Sequence, residues 1–466
     1  MQFKNKRLLT VFILAISVLT ACKKTDVVSE KSPEPAPVPV AVDPQKIQDS
    51  ALLYARELYL WHSQIPTTFN PRSFSDPAGV MTAIRQYSIE PGFSAPVDRW
   101  SFAMKKAEWD KLSGGIGSTF SATAAEGDFG FKIFFLAEGD LRVKYAERES
   151  PAGKAGIRRG WRITKINGNT NITTSNSAFI VNNVYESSST TFTFIKPNGE
   201  TADITLNAAR YKEHPVHFDT VYTINSKKIG YLVFNSFLGD TVEINSEFNR
   251  VFSKFASQNV SELIIDLRYN GGGYVSVQEK LANYIIRSSA NGNLMMNEQF
   301  NDKNSRYNST KYFRKLGSVN VSRVFFIVTN GTASASELLI NNLKPYMDVK
   351  LVGPSNTHGK PVGFFPIPVG DWYVFPVSFK TTNKNGEGNY FNGFPVDSKV
   401  SDGLSKEWGD LSESCLASSL NYITAGAFRT FAEGSNQELL PQVKTGNLIL
   451  DEPSFKGSIE TRKFQK

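Results

Sequence analysis

At 466 residues the chain is longer than one ordinary hydrophobic core, so two or three domains are expected. With 40% hydrophobic and 21% charged residues it has the composition of a soluble globular protein. Its formal charge of +8 comes from dispersed basic residues, with no basic stripe or aromatic-basic platform, so no nucleic-acid partner is expected.

The first residues differ from the rest. MQFKNKR is a basic start, LLTVFILAISVL is an apolar run too short to span a bilayer comfortably, and Leu19, Thr20 and Ala21 lead to Cys22. This resembles a bacterial lipoprotein signal. The resemblance implies cleavage before Cys22, a diacylglycerol on its sulfur, and a place in the bacterial cell envelope, at the periplasmic face or the outer-membrane surface. Removing residues 1–21 takes away Lys4, Lys6 and Arg7 and no acid, lowering the formal charge from +8 to +5. Cys415 is then the remaining cysteine, which excludes an internal disulfide framework and a Cys/His metal cluster. His214 and His217 have no neighbouring ligand set, and neither metal nor cofactor is expected.

Residues 22–44 are proline-rich and read as an extended tether reaching roughly 70 Å if polyproline-like throughout. Residues 45–112 read as a small N-terminal helical region, with an amphipathic helix carrying Ile47, Leu52, Leu53, Leu58, Tyr59 and Trp61 and a second helix at KKAEWDKL. In residues 113–207, DFGF precedes a strand, and SPAGKAGIRRGWRITKING follows about twenty residues later. These stretches resemble a PDZ domain of the bacterial protease type. The resemblance implies that Phe129, Gly130 and Phe131 form a loop whose backbone N–H groups receive a peptide's terminal carboxylate while the peptide adds to a strand edge.

Residues 208–425 alternate apolar strands and helices, which predicts a mostly parallel α/β core, and residues 426–466 are a C-terminal extension. The fold class expected is multidomain α/β: a helical start, a β-rich PDZ-like domain and this core. Two strand-to-helix turns stand out, LIIDLRYNGGG at 263–273 and VFFIVTNGTASASE at 324–337. Neighbouring parallel strands would bring their loops together at one sheet edge. A serine at the first turn of ASELLINNLK, a helix that Pro345 stops, would sit beside free N–H groups and the positive helix end, where an oxyanion is stabilised. A helix cap would use the same residues. The loop GPSNTHGKP at 353–361 then follows the strand VKLV.

IGYLVFNSF, DLRYNGG, GTASASE and the GK pair, in this order behind a PDZ-like domain, resemble the C-terminal processing or tail-specific serine proteases over roughly residues 95–425. The resemblance implies a nucleophile at Ser334, a general base at Lys360 and oxyanion donors at the N–H groups of Gly273 and Ala335. A serine hydroxyl needs such a base, and burial can leave a lysine neutral enough to be one. Each oxyanion donor is worth about 3 kcal/mol. Ser336 is the competing nucleophile and reads as structural, and His358 is the competing base. No G-x-S-x-G elbow is present. Two departures fall at the lysine loop: Phe364 stands where many relatives carry glutamine, and the serine-to-lysine interval is about one residue longer than the family's. The implied function is a lipid-anchored envelope endopeptidase acting on protein or peptide substrates with free, apolar C-termini. The rival is a catalytically impaired peptide-binding scaffold.

Overall fold

In the computed structural model, residues 44–117, 127–428 and 455–461 are described, and all belong to the compact unit Asp43–Lys466. The expected signal segment, Cys22 and the expected tether up to residue 43 lie outside the described residues, as do 118–126, 429–454 and 462–466.

The long apolar runs build the central sheet, ordered Ser398–Lys399, Asp348–Gly353, Arg323–Ile327, Glu262–Asp266, Lys227–Phe234 and Val216–Ile224. Every pairing in it is parallel except the last. Side chains alternate between its faces. Leu263, Ile265, Val324 and Phe326 pack with Phe248, Phe252, Leu281 and Leu338 of three helices, Thr241–Ser257, Val275–Ile285 and Ala335–Leu343. Ile264, Phe325 and Ile327 face the other way, onto Leu416 and Leu420 of the helix Ser414–Ala425. A sheet covered on both faces needs strands apolar at every position, which is why these runs show no polar alternation.

A second six-stranded sheet is mixed: Gly272–Tyr274, Gly457–Ile459, Val362–Phe364, Val377–Thr382, Leu294–Phe300 and Ser309–Tyr312. The alternation of apolar strands and helices over residues 208–425 did not anticipate it. The expected helical start holds helices Pro44–Leu58, Pro77–Ile84 and Lys106–Ser113. It also holds a strand, Phe102–Lys105, which pairs antiparallel with Trp372–Phe375. Ala51, Leu58, Tyr59 and Val80 belong to the same apolar cluster as the core helices, so this region completes the core.

Residues 127–209 have their own apolar cluster under a five-stranded antiparallel sheet, ordered Phe131–Ala137, Asp140–Ala146, Arg162–Ile166, Ser189–Ile195 and Thr201–Asn207. Arg159 fastens it to the core. Its buried guanidinium reaches Asp402 at 2.6 Å and the Tyr269 hydroxyl at 2.7 Å, and it lies over the Trp408 ring at 4.3 Å. Arg268, also buried, contacts Asp402 at 2.6 Å, Asp266 at 2.7 Å and Glu413 at 2.9 Å. Burial opposes the charge on Asp402, yet Arg159 and Arg268 hold its carboxyl well below the usual carboxylate range.

Removing one member of such a buried network leaves another charge uncompensated. Asp402→Ala is expected to lower stability by about 3 kcal/mol in chemical denaturation, and an unchanged unfolding midpoint would show that this junction carries no such load.

Candidate active site

Ser334 begins the helix Ala335–Leu343 with φ 59° and ψ −107°, in a region that a serine adopts only under constraint. The constraint is visible. The Ser334 N–H donates to Glu337 Oε2 at 2.8 Å, the Ala333 N–H donates to the Asn270 carbonyl at 3.1 Å, and the Ser334 carbonyl accepts from Leu338 N at 2.7 Å. Ser336 points elsewhere, its hydroxyl donating to the Asn270 carbonyl at 3.0 Å. The two strand-to-helix turns therefore meet, and Ser336 helps to tie them.

Glu337 organises the second half of the site. Its buried carboxylate accepts from Thr357 Oγ1 at 2.6 Å, Gly359 N at 2.6 Å and Lys360 N at 2.8 Å, in addition to Ser334 N. Burial raises its pKa, and these donors oppose the rise. One side chain thus fixes the backbones on which both Ser334 and Lys360 stand. It is the last residue of the S-A-S-E stretch, and the sequence reading gave it no role.

Lys360 is 1% exposed. Its Nζ lies 3.6 Å from the centre of the Phe364 ring and 5.8 Å from that of Trp100, and it donates to the Lys456 carbonyl at 2.6 Å. Burial drives its pKa well below the usual lysine value, with the Asp98 and Glu337 charges opposing. The residue in the glutamine position is therefore an aromatic support under the amine. Neither Trp100 nor this use of Phe364 was foreseen. His358 is not directed at the serine: its Nε2 accepts from Trp100 Nε1 at 3.1 Å, and burial lowers its pKa to about 3.

The glycine loop supplies the opposite wall. Asn270 anchors it, donating through Nδ2 to the Phe234 carbonyl at 3.0 Å and accepting the Gly272 N–H at 2.9 Å. A Cβ on Gly272, whose φ is +107°, would lie 2.4 Å from the Gly457 oxygen and 3.0 Å from Ala335 N, so only glycine leaves this space open. Gly273 passes Phe237 so closely that a Cβ would be 2.2 Å from its carbonyl carbon. Ser334, Lys360 and the strand of Gly273 thus each contact residues 456–458: Ser334 at Ser458, Lys360 at Lys456, and Gly272–Tyr274 by pairing with Gly457–Ile459. Among the described residues no hydrogen bond joins Ser334 Oγ to Lys360 Nζ, and the hydroxyl lies 2.8 Å from Ser458 Oγ. Residues 455–461 run through the site, which nothing in the sequence signalled.

Phe129, Gly130 and Phe131 lie apart, in the five-stranded domain. Both phenylalanines are buried, their rings edge-on to Phe192. The Gly130 carbonyl accepts from Glu147 N at 2.7 Å, and the Phe129 carbonyl accepts from Ala152 N at 2.9 Å. Phe131 opens the strand Phe131–Ala137, the outermost of its sheet, whose Ile133 N–H donates to the Tyr185 hydroxyl at 3.3 Å.

Comparison with known proteins finds likenesses to one peptidase family. Residues 228–399 match the model of peptidase family S41. The chain is 28% identical over 290 residues to the carboxy-terminal processing protease CtpB of Bacillus subtilis (strain 168), covering 61% of this chain and 56% of that protein. It is 26% identical over 266 residues to a protein of Staphylococcus aureus (strain bovine RF122 / ET3-1) named a probable CtpA-like serine protease, covering 57% and 49%. The chain spans about half the length of the curated relatives it matches. A crystal structure from Bacteroides fragilis NCTC 9343, named for an S41 protease, shares the fold with a TM-score of 0.64 at 23% identity, over 80% of this chain and 97% of that one.

The Glu337 clamp makes a direct forecast. Glu337→Gln sets an amide donor against backbone donors and is expected to lower stability by about 2 kcal/mol in chemical denaturation. Wild-type stability would show that the four bonds do not anchor the site.

Proposed function

Because residues 228–399 match the model of peptidase family S41, we propose that the protein is a serine endopeptidase working through Ser334 and Lys360. The observation that carries this reading is the seat of Lys360, a buried amine on an aromatic floor whose backbone is tied by Glu337 to that of Ser334. In the reaction, Ser334 Oγ bonds to the substrate carbonyl carbon as its proton passes to the neutral amine of Lys360. The oxyanion is held by the N–H groups of Gly273 and Ala335. The C–N bond then breaks, Lys360 returns the proton to the leaving nitrogen, and water hydrolyses the acyl-enzyme by the same route. Substrates are proteins or peptides. Capture of free, apolar C-termini falls to the loop of Phe129, Gly130 and Phe131 and to the adjoining strand edge, where an entering peptide would replace the Ile133–Tyr185 bond. The lipobox at Cys22 supports a lipid anchor in the bacterial envelope.

A second reading, a catalytically impaired peptide-binding scaffold, is favoured by one feature. Serine and lysine do not touch, and Phe364 offers the amine no hydrogen bond.

Purified protein on unstructured peptides separates the two readings. Ser334→Ala and Lys360→Ala are each expected to abolish cleavage, the double variant to be no worse than either, and Ser336→Ala to retain substantial activity. Full activity in Lys360→Ala would sink the dyad, and cleavage neither by the wild type nor by a folded form with residues 455–461 displaced would establish the scaffold.

The pH profile has a definite sign. A base whose pKa is depressed becomes competent as pH rises through that lowered value, so kcat/KM should climb with pH and level off below the ordinary lysine range. His358, neutral above about pH 3, should contribute no limb between pH 5 and 10. A limb near pH 6.5 that is lost in His358→Ala would overturn this assignment.

If the loop at Gly130 receives carboxylates, amidated peptides should bind or be cut more weakly than free acids, and equal binding and cleavage of both would remove that role.

A further inference from the structure

Residues 455–461 take the seat of a bound peptide. The strand Gly457–Ile459 enters between Gly272–Tyr274, the wall that carries Gly273, and Val362–Phe364, which follows the lysine loop, and it runs parallel to both. Gly457 N–H donates to the Gly271 carbonyl at 3.1 Å, and Glu460 N–H to the Phe364 carbonyl at 3.0 Å. With Gly272 opposite Gly457, the next rung of a parallel ladder sets the Gly273 N–H against the Gly457 carbonyl. A Cβ on Gly272 would lie 2.4 Å from that oxygen and 3.0 Å from Ala335 N, so both border the space over Gly272. The Gly457 carbonyl thus faces one of the two N–H groups assigned to the oxyanion, with the hydroxyl of Ser458 2.8 Å from that of Ser334. The Gly457–Ser458 bond lies along the serine as a stretch of bound peptide would.

The same contacts keep the site at rest. Lys360 Nζ is turned to the Lys456 carbonyl and Ser334 Oγ to Ser458. The proton path from serine to lysine is therefore interrupted by the occupant. Phe455 anchors the segment from outside, its ring 5.6 Å from that of Trp109 and 6.2 Å from that of Phe102, and Ile459 is buried beyond the serine.

We propose that residues 455–461 are an internal blocking strand, a substrate-like occupant that must leave the channel before another peptide enters. The proposal rests on the reading of Ser334 and Lys360 as the catalytic pair, and its test has a binding arm independent of turnover.

In the full chain, Phe455→Asp with Ile459→Asp removes both anchors, and Gly457→Val is the milder alternative, since a Cβ there would lie 2.1 Å from the Phe455 ring. Circular dichroism checks that each variant is folded. The probe is a fluorescein-labelled synthetic peptide of residues 452–463, titrated by fluorescence anisotropy into proteins that also carry Ser334→Ala. The unseated proteins are expected to bind it at least tenfold more tightly than the chain with its own strand in place. With Ser334 restored, kcat/KM on unstructured peptides should rise at least tenfold, and the 452–463 peptide should inhibit competitively. A wild-type product ending at Gly457, absent in Ser334→Ala, supports the substrate-like register. Tighter binding without cleavage by any form keeps the blocking strand and rejects the peptidase reading. Equal binding in seated and unseated proteins overturns the blocking strand, as does a folded variant with lower activity than the parent, because the strand would then be a fixed part of the catalytic sheet.

Discussion

A carboxylate buried without a cationic partner is costly unless its oxygens are filled by donors, and this cost shapes the centre of the molecule. Glu337 has three backbone N–H groups and one hydroxyl on its two oxygens. Ser334 N comes from the first turn of a helix, while Gly359 N and Lys360 N come from a loop beyond the next strand. The demand of one side chain for donors therefore sets the separation of a strained serine from a buried lysine. It also explains how Ser334 can hold φ 59°: the strain is confined to one residue whose N–H is fixed on one side and whose carbonyl is fixed by Leu338 on the other.

Parallel pairing supplies the other half of that geometry. Because the strands Glu262–Asp266 and Arg323–Ile327 are neighbours in register, their following loops emerge side by side. The Asn270 carbonyl can then accept both Ala333 N and Ser336 Oγ. The glycines after Asn270 leave the space beside Ala335 N and the Gly457 oxygen empty of side chains, and the adjacent wall closes against Phe237. Arg268, between the sheet strand and this loop, belongs to the ion network that also holds Arg159 of the five-stranded domain. A rearrangement of that domain would thus be felt two residues from Asn270.

The legible parts of the sequence were those with a local cause. LIIDL and VFFIV are apolar at every position because both faces of their sheet are covered, and the turns after them are marked by glycines and small hydroxyl residues. The motif order singled out Ser334, Lys360, Gly273 and Ala335, and in the structure the backbones of Ser334 and Lys360 share the Glu337 carboxylate. The second sheet had no such signature. Leu294–Phe300 buries Glu298, which spoils its alternation, and Val362–Phe364 and Gly457–Ile459 are three residues each. The strand Phe102–Lys105 is half-buried throughout and follows a helical stretch, so neither period reveals it. Trp100 and Glu337 escaped notice for a related reason: their partners come from loops distant in sequence, and side-chain roles set by tertiary approach leave no trace in spacing.

Phe364 shows how a departure from a family pattern can carry its own physics. A glutamine would orient the lysine amine by a hydrogen bond and keep a polar group beside it. A phenylalanine ring 3.6 Å from Nζ offers only its face, and together with Trp100 it withdraws the amine from water. Attraction between a ring face and an ammonium favours the charged form, whereas desolvation favours the neutral one. Lys360 is almost fully buried, and this burial drives its pKa down despite the nearby Asp98 and Glu337 charges. The exchange leaves the amine withdrawn from water and without a side-chain hydrogen bond to aim it. The position of Nζ must then be set by whatever backbone lies in the channel, as the Lys456 carbonyl sets it now. In this site the segment that occupies the cleft takes part in arranging the lysine amine beside it.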